Sequence, residues 1–176
     1  MTETMHIVVD GYNLIRQSPH FSAIERRDLQ AGREALVEAL AAYKKVKSYT
    51  ITVVFDGGGA PIGMPRRDRS KGIELCYSRP GELADAVIKR MAGRERERLM
   101  VVSSDHEVAD YAAARGAGII GVAEFEERLR MARMLDAKGT VESEPPAGWV
   151  PTTKKRGPAK RLPKRQRKLR HKIEKL

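Results

Sequence analysis

This chain holds one cysteine, Cys76, so no intrachain disulfide can staple it. That usage suits a reducing cytoplasm, where the protein is expected to reside. Cys76 lies in an apolar segment, which favours a packing residue over a nucleophile. Histidine is also sparse, with four residues, so any metal ligation falls to oxygen and suits hard ions. No apolar run approaches membrane-spanning length, and Met1-Thr2-Glu3-Thr4-Met5 has neither the basic nor the apolar region of a secretion signal. Gly57-Gly58-Gly59 lacks the spacing and following helix of a dinucleotide loop, and no GxxxxGK[ST] phosphate loop occurs. No Ser or Cys sits in an elbow-type turn. A receiver-type phosphoacceptor domain needs a Lys after its last strand, where this chain has Gly121-Val122-Ala123.

The tail lacks acid. Residues 151–176 hold twelve of the 34 Lys and Arg but only one of the 23 Asp and Glu, Glu174. Twenty-two of each sign remain in 1–150, so the tail carries the whole net charge of +11. A block of this kind reads as an arm for nucleic acid, with a solvated solubility tail as the alternative. An anionic membrane fits less well, because no aromatic or Leu-rich face is there to insert. Five of the nine prolines fall between 145 and 163, which excludes a packed helical domain there. The expected organisation is a domain over 1–140, then a Pro-containing linker and basic RNA-binding tail over 141–176, partly helical when bound.

Three apolar runs each end in an aspartate: Ile7-Val8-Val9-Asp10, Ile51 to Asp56, and Met100-Val101-Val102-Ser103-Ser104-Asp105. Unbroken β-branched runs read as strands buried on both faces, hence a parallel sheet covered by helices. All their C-terminal ends then lie on one edge, where open α/β folds bind ligands. Carboxylates gathered there raise one another's pKa unless a cation neutralises them, which suggests Mg²⁺ or Mn²⁺.

Between these strands, Gly11-Tyr12-Asn13 reads as a turn, and Asp28 as the N-cap of a helix to about Val46 with Leu29, Leu36, Val37 and Leu40 buried. Residues 57–71 read as a loop carrying Arg66, Arg67, Arg69 and Lys71. Ile73, Leu75 and Tyr77 alternate as an edge strand. Further helices are expected over about Glu82–Ala92, Asp105–Arg115 and Glu124–Leu135, with a short strand at Ile119–Val122. Asp10 is the leading ligand candidate. Asp56 also suits a glycine-rich turn, and Asp105 also suits a helix N-cap. Glu82 and Asp85 stand i, i+3 on one expected helix face, where Asp85, a turn inside, is the better ligand candidate. Asn13 either orients substrate or serves its turn.

In combination, Val9-Asp10-Gly11-Tyr12-Asn13-Leu14-Ile15, Val54-Phe55-Asp56-Gly57, Gly81 to Ile88 and Val102-Ser103-Ser104-Asp105 resemble the NYN domain of the YacP-like proteins over about residues 6–136. That family is one of PIN-like ribonucleases, whose characterised bacterial representative is a ribosome-associated endoribonuclease that cuts mRNA. The resemblance implies a three-layer α/β/α sandwich with a mostly parallel five-stranded sheet in order 3-2-1-4-5. It implies metal carboxylates at Asp10, Asp85 and Asp105, with Asp56 the acid after the second strand and Asn13 completing a catalytic set. The expected activity is Mg²⁺- or Mn²⁺-dependent hydrolysis of RNA, with mRNA or rRNA and the ribosome as partners and no nucleotide cofactor. Charge alone assigns RNA contact to Arg66, Arg67, Arg69 and Lys71, and to the tail residues Lys154, Lys155, Arg156, Lys160, Arg161, Lys164, Arg165, Arg167, Lys168 and Arg170. A non-catalytic RNA- or ribosome-binding factor and a structure-specific DNA nuclease stay open as alternatives.

Overall fold

The computed structural model describes residues 4–60, 62–63, 65–138 and 173. The ten tail cations named above lie outside these residues. Six strands form one sheet: β1 (His6–Asp10), β2 (Thr50–Phe55), β3 (Arg67–Ser70), β4 (Ile73–Tyr77), β5 (Leu99–Val102) and β6 (Gly118–Ile120). Their order is β3-β4-β2-β1-β5-β6, parallel except for antiparallel β3. Without β3 the order is the expected one. The extra strand escapes a sequence reading because Arg67–Ser70 is polar throughout, with no apolar alternation to mark it. It exists because Lys71 and Gly72 both take positive φ, 51° and 81°, which folds the chain back onto β4 in a tight hairpin. Ile73–Tyr77 is therefore second from the edge.

Helices cover both faces. On one side lie α1 (Gly11–Gln17), α2 (Pro19–Glu25), α3 (Leu29–Val46) and α6 (Val122–Lys138); on the other lie α4 (Ala84–Glu95) and α5 (His106–Ala114). Strand alternation divides the core. Ile7 and Val9 face the α3 side with Val53 and Phe55, while Val8 and Val54 face α4 with Val101. Burying each such side chain stabilises the fold by about 1.5–3 kcal/mol.

Asp28 caps α3 as expected, its Oδ1 accepting from Gln30 N (2.8 Å) and Ala31 N (3.3 Å). Leu29, expected on the buried stripe, is exposed, whereas Leu36, Val37 and Leu40 are buried. Gly11–Gln17 is helix rather than turn, because Tyr12, Leu14 and Ile15 bury against the core and outweigh a turn-forming sequence. Cys76, expected to be a packing residue, is only half-buried, because its face of β4 is open. At the far end of the chain, Ile173 is helical, half-buried and packed against the larger core cluster.

Gly57 closes the β2 edge. A Cβ there would stand 1.9 Å from the Ser78 carbonyl oxygen, while Gly57 N donates to Ser78 Oγ at 2.9 Å. Gly57→Ala is expected to destabilise the protein by about 2–3 kcal/mol through backbone displacement, read as a lower urea midpoint. An unchanged midpoint would contradict this packing.

Candidate active site

Alternation also aims the acids. Asp10 follows Val8, and Asp56 follows Val54, onto the face covered by α4, the helix that carries Asp85 in its first turn. Asp105 ends the loop after β5 and begins α5. Asp10 is 7% exposed, and Asp56, Asp85 and Asp105 are half-buried.

Burial and neighbouring negative charge lift Asp10 to a pKa of about 7. Desolvation is the largest cause, followed by repulsion from Asp85, with Asp56 and Asp105 adding to it; the Asn13 backbone N–H pulls the other way. Asp85 is also raised, mainly by desolvation and then by Asp105, while Lys89 opposes the shift. The four acids thus share one electrostatic neighbourhood.

Backbone N–H groups hold this arrangement. Asp56 Oδ1 accepts from Ala84 N at 2.7 Å, so a strand-end carboxylate caps α4 from outside the helix, where Leu83 at the N-cap offers no side-chain acceptor. Asp105 Oδ1 accepts from Glu107 N (2.8 Å) and Val108 N (3.1 Å), which commits one oxygen to capping α5. Asn13 Oδ1 accepts from Ser104 N at 3.0 Å and ties α1 to the β5–α5 loop.

Glu82 stands apart. It precedes α4, so it and Asp85 do not share a helix face; Pro80-Gly81 delays the helix and the turn closes through Glu82 Oε2 and Arg79 N (3.1 Å). Its other oxygen pairs with Arg90. Lys71 sits at the hairpin tip, at the opposite end of β4 from the acids, and pairs with Glu38 at 2.7 Å. Arg66 and Arg67 lie at the acid end of that hairpin, with Arg69 between. Sequence reasoning missed Lys89, although its i+4 spacing from Asp85 places both on one face of α4. It also missed Ser78, which accepts from Gly57 N and donates to the Glu82 carbonyl (2.6 Å). A serine in a loop gives no such signal.

The donors are all oxygens, which suits a hard divalent ion. Among the described residues, no three His, Cys, Asp or Glu side chains share ligand range. A Mg²⁺ ion there would take one or two of these carboxylates and fill the rest of its shell with water.

The family model of the YacP-like NYN domain matches residues 7–174, a span that runs into the basic segment beyond the motifs. The "Uncharacterized protein YacP" of Bacillus subtilis (strain 168) is 26% identical over 86 residues, 49% of this chain and 50% of that protein. The match therefore spans half the length of this curated relative. Crystal structures of Rae1 (YacP) from Bacillus subtilis, the wild type and a tryptophan-to-leucine mutant, share the fold at TM-scores of 0.65 and 0.63 with 20% identity. They align with 76% and 75% of this chain, and with 78% and 79% of theirs.

Asp10 makes stability depend on pH. Its folded pKa of about 7 exceeds the ordinary value of 3.8, so its penalty is absent below pH 4, grows as pH rises and is complete above 7. A displacement of that size corresponds to on the order of 4 kcal/mol. In metal-free buffer, Asp10→Asn is expected to exceed the wild type in stability at pH 8 and to match it near pH 4, by urea unfolding. Equal stabilities at pH 8 would refute the combined penalty of burial and repulsion. Asp56→Ala should cost about 1 kcal/mol through removal of the cap it provides, measured in the same way.

Proposed function

The chain belongs to the YacP-like NYN domain family, a PIN-like nuclease fold, and on that premise we propose a metal-dependent endoribonuclease that hydrolyses RNA phosphodiester bonds. The observation that carries the reading is the shared electrostatic neighbourhood of four acids at one sheet edge, with Asp10 raised to about 7. One or two of Asp10, Asp85 and Asp105 would bind Mg²⁺ or Mn²⁺ directly, water and phosphate oxygens filling the rest of the shell. When bound, the ion supplies charge neutralisation at the phosphate and lowers the pKa of water.

The protein's own residues do the rest. Asp56 is a positioning residue, because its bond to Ala84 N sets where α4 presents Asp85. Asn13 fixes the loop that carries Asp105. Lys89, beside Asp85 and ion-paired with Glu107, partly offsets the negative edge. The half-buried edge restricts water around these groups and strengthens their electrostatics. We assign the basic tail to affinity, and ribosome association to the same charge. One observation favours a second reading, a metal-independent RNA-binding factor: no three carboxylates share ligand range among the described residues.

End-labelled single-stranded RNA with Mg²⁺, Mn²⁺ or EDTA separates the two. Asp85→Asn is expected to lower the cleavage rate by at least about a hundredfold, since several kcal/mol of charge stabilisation depends on the ion. Glu82→Gln should lower it by much less. Cleavage in EDTA, or full activity of Asp85→Asn, would overturn the assignment.

The tail is tested by neutralising Lys164, Arg165, Arg167 and Lys168 to Gln, which keeps the core packing of Ile173. Each phosphate that the variant no longer neutralises should flatten log affinity against log salt by about 0.7 on single-stranded RNA. Cosedimentation with ribosomes should fall, while a short RNA at saturation is still cut. Unchanged ribosome affinity would leave the tail a solubility device.

A further inference from the structure

An open groove of about 1290 Å³ runs down the side of the molecule between the β3–β4 hairpin and α4. It exists because α4 packs over β1, β2 and β5, leaving the same face of β4 exposed at Glu74 and half-exposed at Cys76. Register places more charge there. Arg67 is paired with Cys76 and Arg69 with Glu74, so both arginines project from the groove face of the sheet. Arg90 and Arg94 line the opposite wall one helical turn apart, with Arg66 and Arg79 toward the acid end. Arg66, Arg67, Arg69 and Arg94 have no ion-pair partner among the described residues. Of the two acids that line the groove, Glu74 faces it, accepting from Thr52 Oγ1 on the floor (3.3 Å), and sets one carboxylate against the arginines, while Asp68, opposite Leu75, points to the other face.

The direction of α4 gives the groove its place in the chemistry. The helix begins beside Asp85 at the carboxylate edge and runs away from it, so the groove leads from that edge down the flank. Spacings along both walls suit an extended strand. Arg90 and Arg94 are separated by about 6 Å of helix rise, and Arg67 and Arg69 by about 7 Å of strand. The chain's own C-terminal segment, with twelve cations and one acid beyond residue 150, is repelled by such a surface. Its occupant is a polyanion from outside.

We propose that this groove is the track for the single-stranded RNA that flanks the carboxylate site, gripped through its phosphates. The proposal rests on the nuclease reading and adds Arg79 and Arg94 to the RNA surface. Positively charged channels that follow the backbone are the general means of holding single strands.

Cys76, the only cysteine of the chain, lies on the groove floor and reports occupancy. In EDTA, binding of an oligouridylate of about 12 nucleotides is followed by fluorescence anisotropy, and alkylation of Cys76 by N-ethylmaleimide by mass spectrometry. Bound RNA is expected to slow alkylation at least about fivefold. The Arg69→Glu/Arg94→Glu variant should bind about tenfold more weakly near physiological salt, with a salt slope flatter by about 1.4 for two phosphates. Undiminished alkylation under saturating RNA, together with a variant that binds as wild type, overturns the track. Cleavage is scored separately with Mn²⁺. Protection without cleavage keeps the groove and refutes the nuclease; cleavage without protection or variant effect does the reverse.

Discussion

Holding four carboxylates at one sheet edge costs free energy, and the way this protein sustains that cost organises the rest of the structure. Burial first and repulsion second push Asp10 to about 7. The neighbours are kept from moving apart by backbone donors: Ala84 N on Asp56, Glu107 N and Val108 N on Asp105. Each bond places a carboxylate at a helix N-terminus, where the unsatisfied N–H groups favour negative charge. The same bonds that stabilise the acids also fix where α4 and α5 start, so fold and site cannot be varied independently at this edge.

Much of this was legible in the sequence because parallel strands buried on both faces leave a strong signal. Ile7 to Asp10 and Ile51 to Asp56 read as strands with acids at one end, and Asp28 as a cap. What escaped is what tertiary packing decides. Arg67–Ser70 has no apolar period and becomes a strand only through the Lys71-Gly72 hairpin and the ladder with β4. Gly11-Tyr12-Asn13 has turn chemistry, yet packing makes it a short helix. Residue types could not show that Asp56 reaches across to cap α4, since that bond joins positions 28 residues apart.

Spacing misled in one instructive case. Glu82 and Asp85 suit one helix face only if the helix includes both. The turn after Pro80-Gly81 instead uses Glu82 as an acceptor for Arg79 N and pairs it with Arg90. That pairing removes Glu82 from the acid cluster and holds it well below the usual carboxylate range, at about 2, through Arg90 first and the Arg79 N–H second. A charge near a site is thus not necessarily of it; its partners decide.

The arrangement of opposite charges is the remaining constraint. Acids occupy the strand ends, while the unpaired arginines lie along the flank that leads away from them. A phosphodiester chain is attracted to the flank and repelled by the bare edge. Long-range attraction between exposed charges is screened within about 8 Å at physiological salt, so a flank that is to deliver a strand, as proposed, has to lie close to the edge. The fold meets that demand with one helix. Its first turn carries Asp85, the next carries Lys89 and Arg90, and the following one carries Arg94. Under the proposed function, repulsion at the edge would work as a selector: a polyanion accompanied by a divalent cation could sit on Asp10 and Asp85 without raising the cost of their burial further.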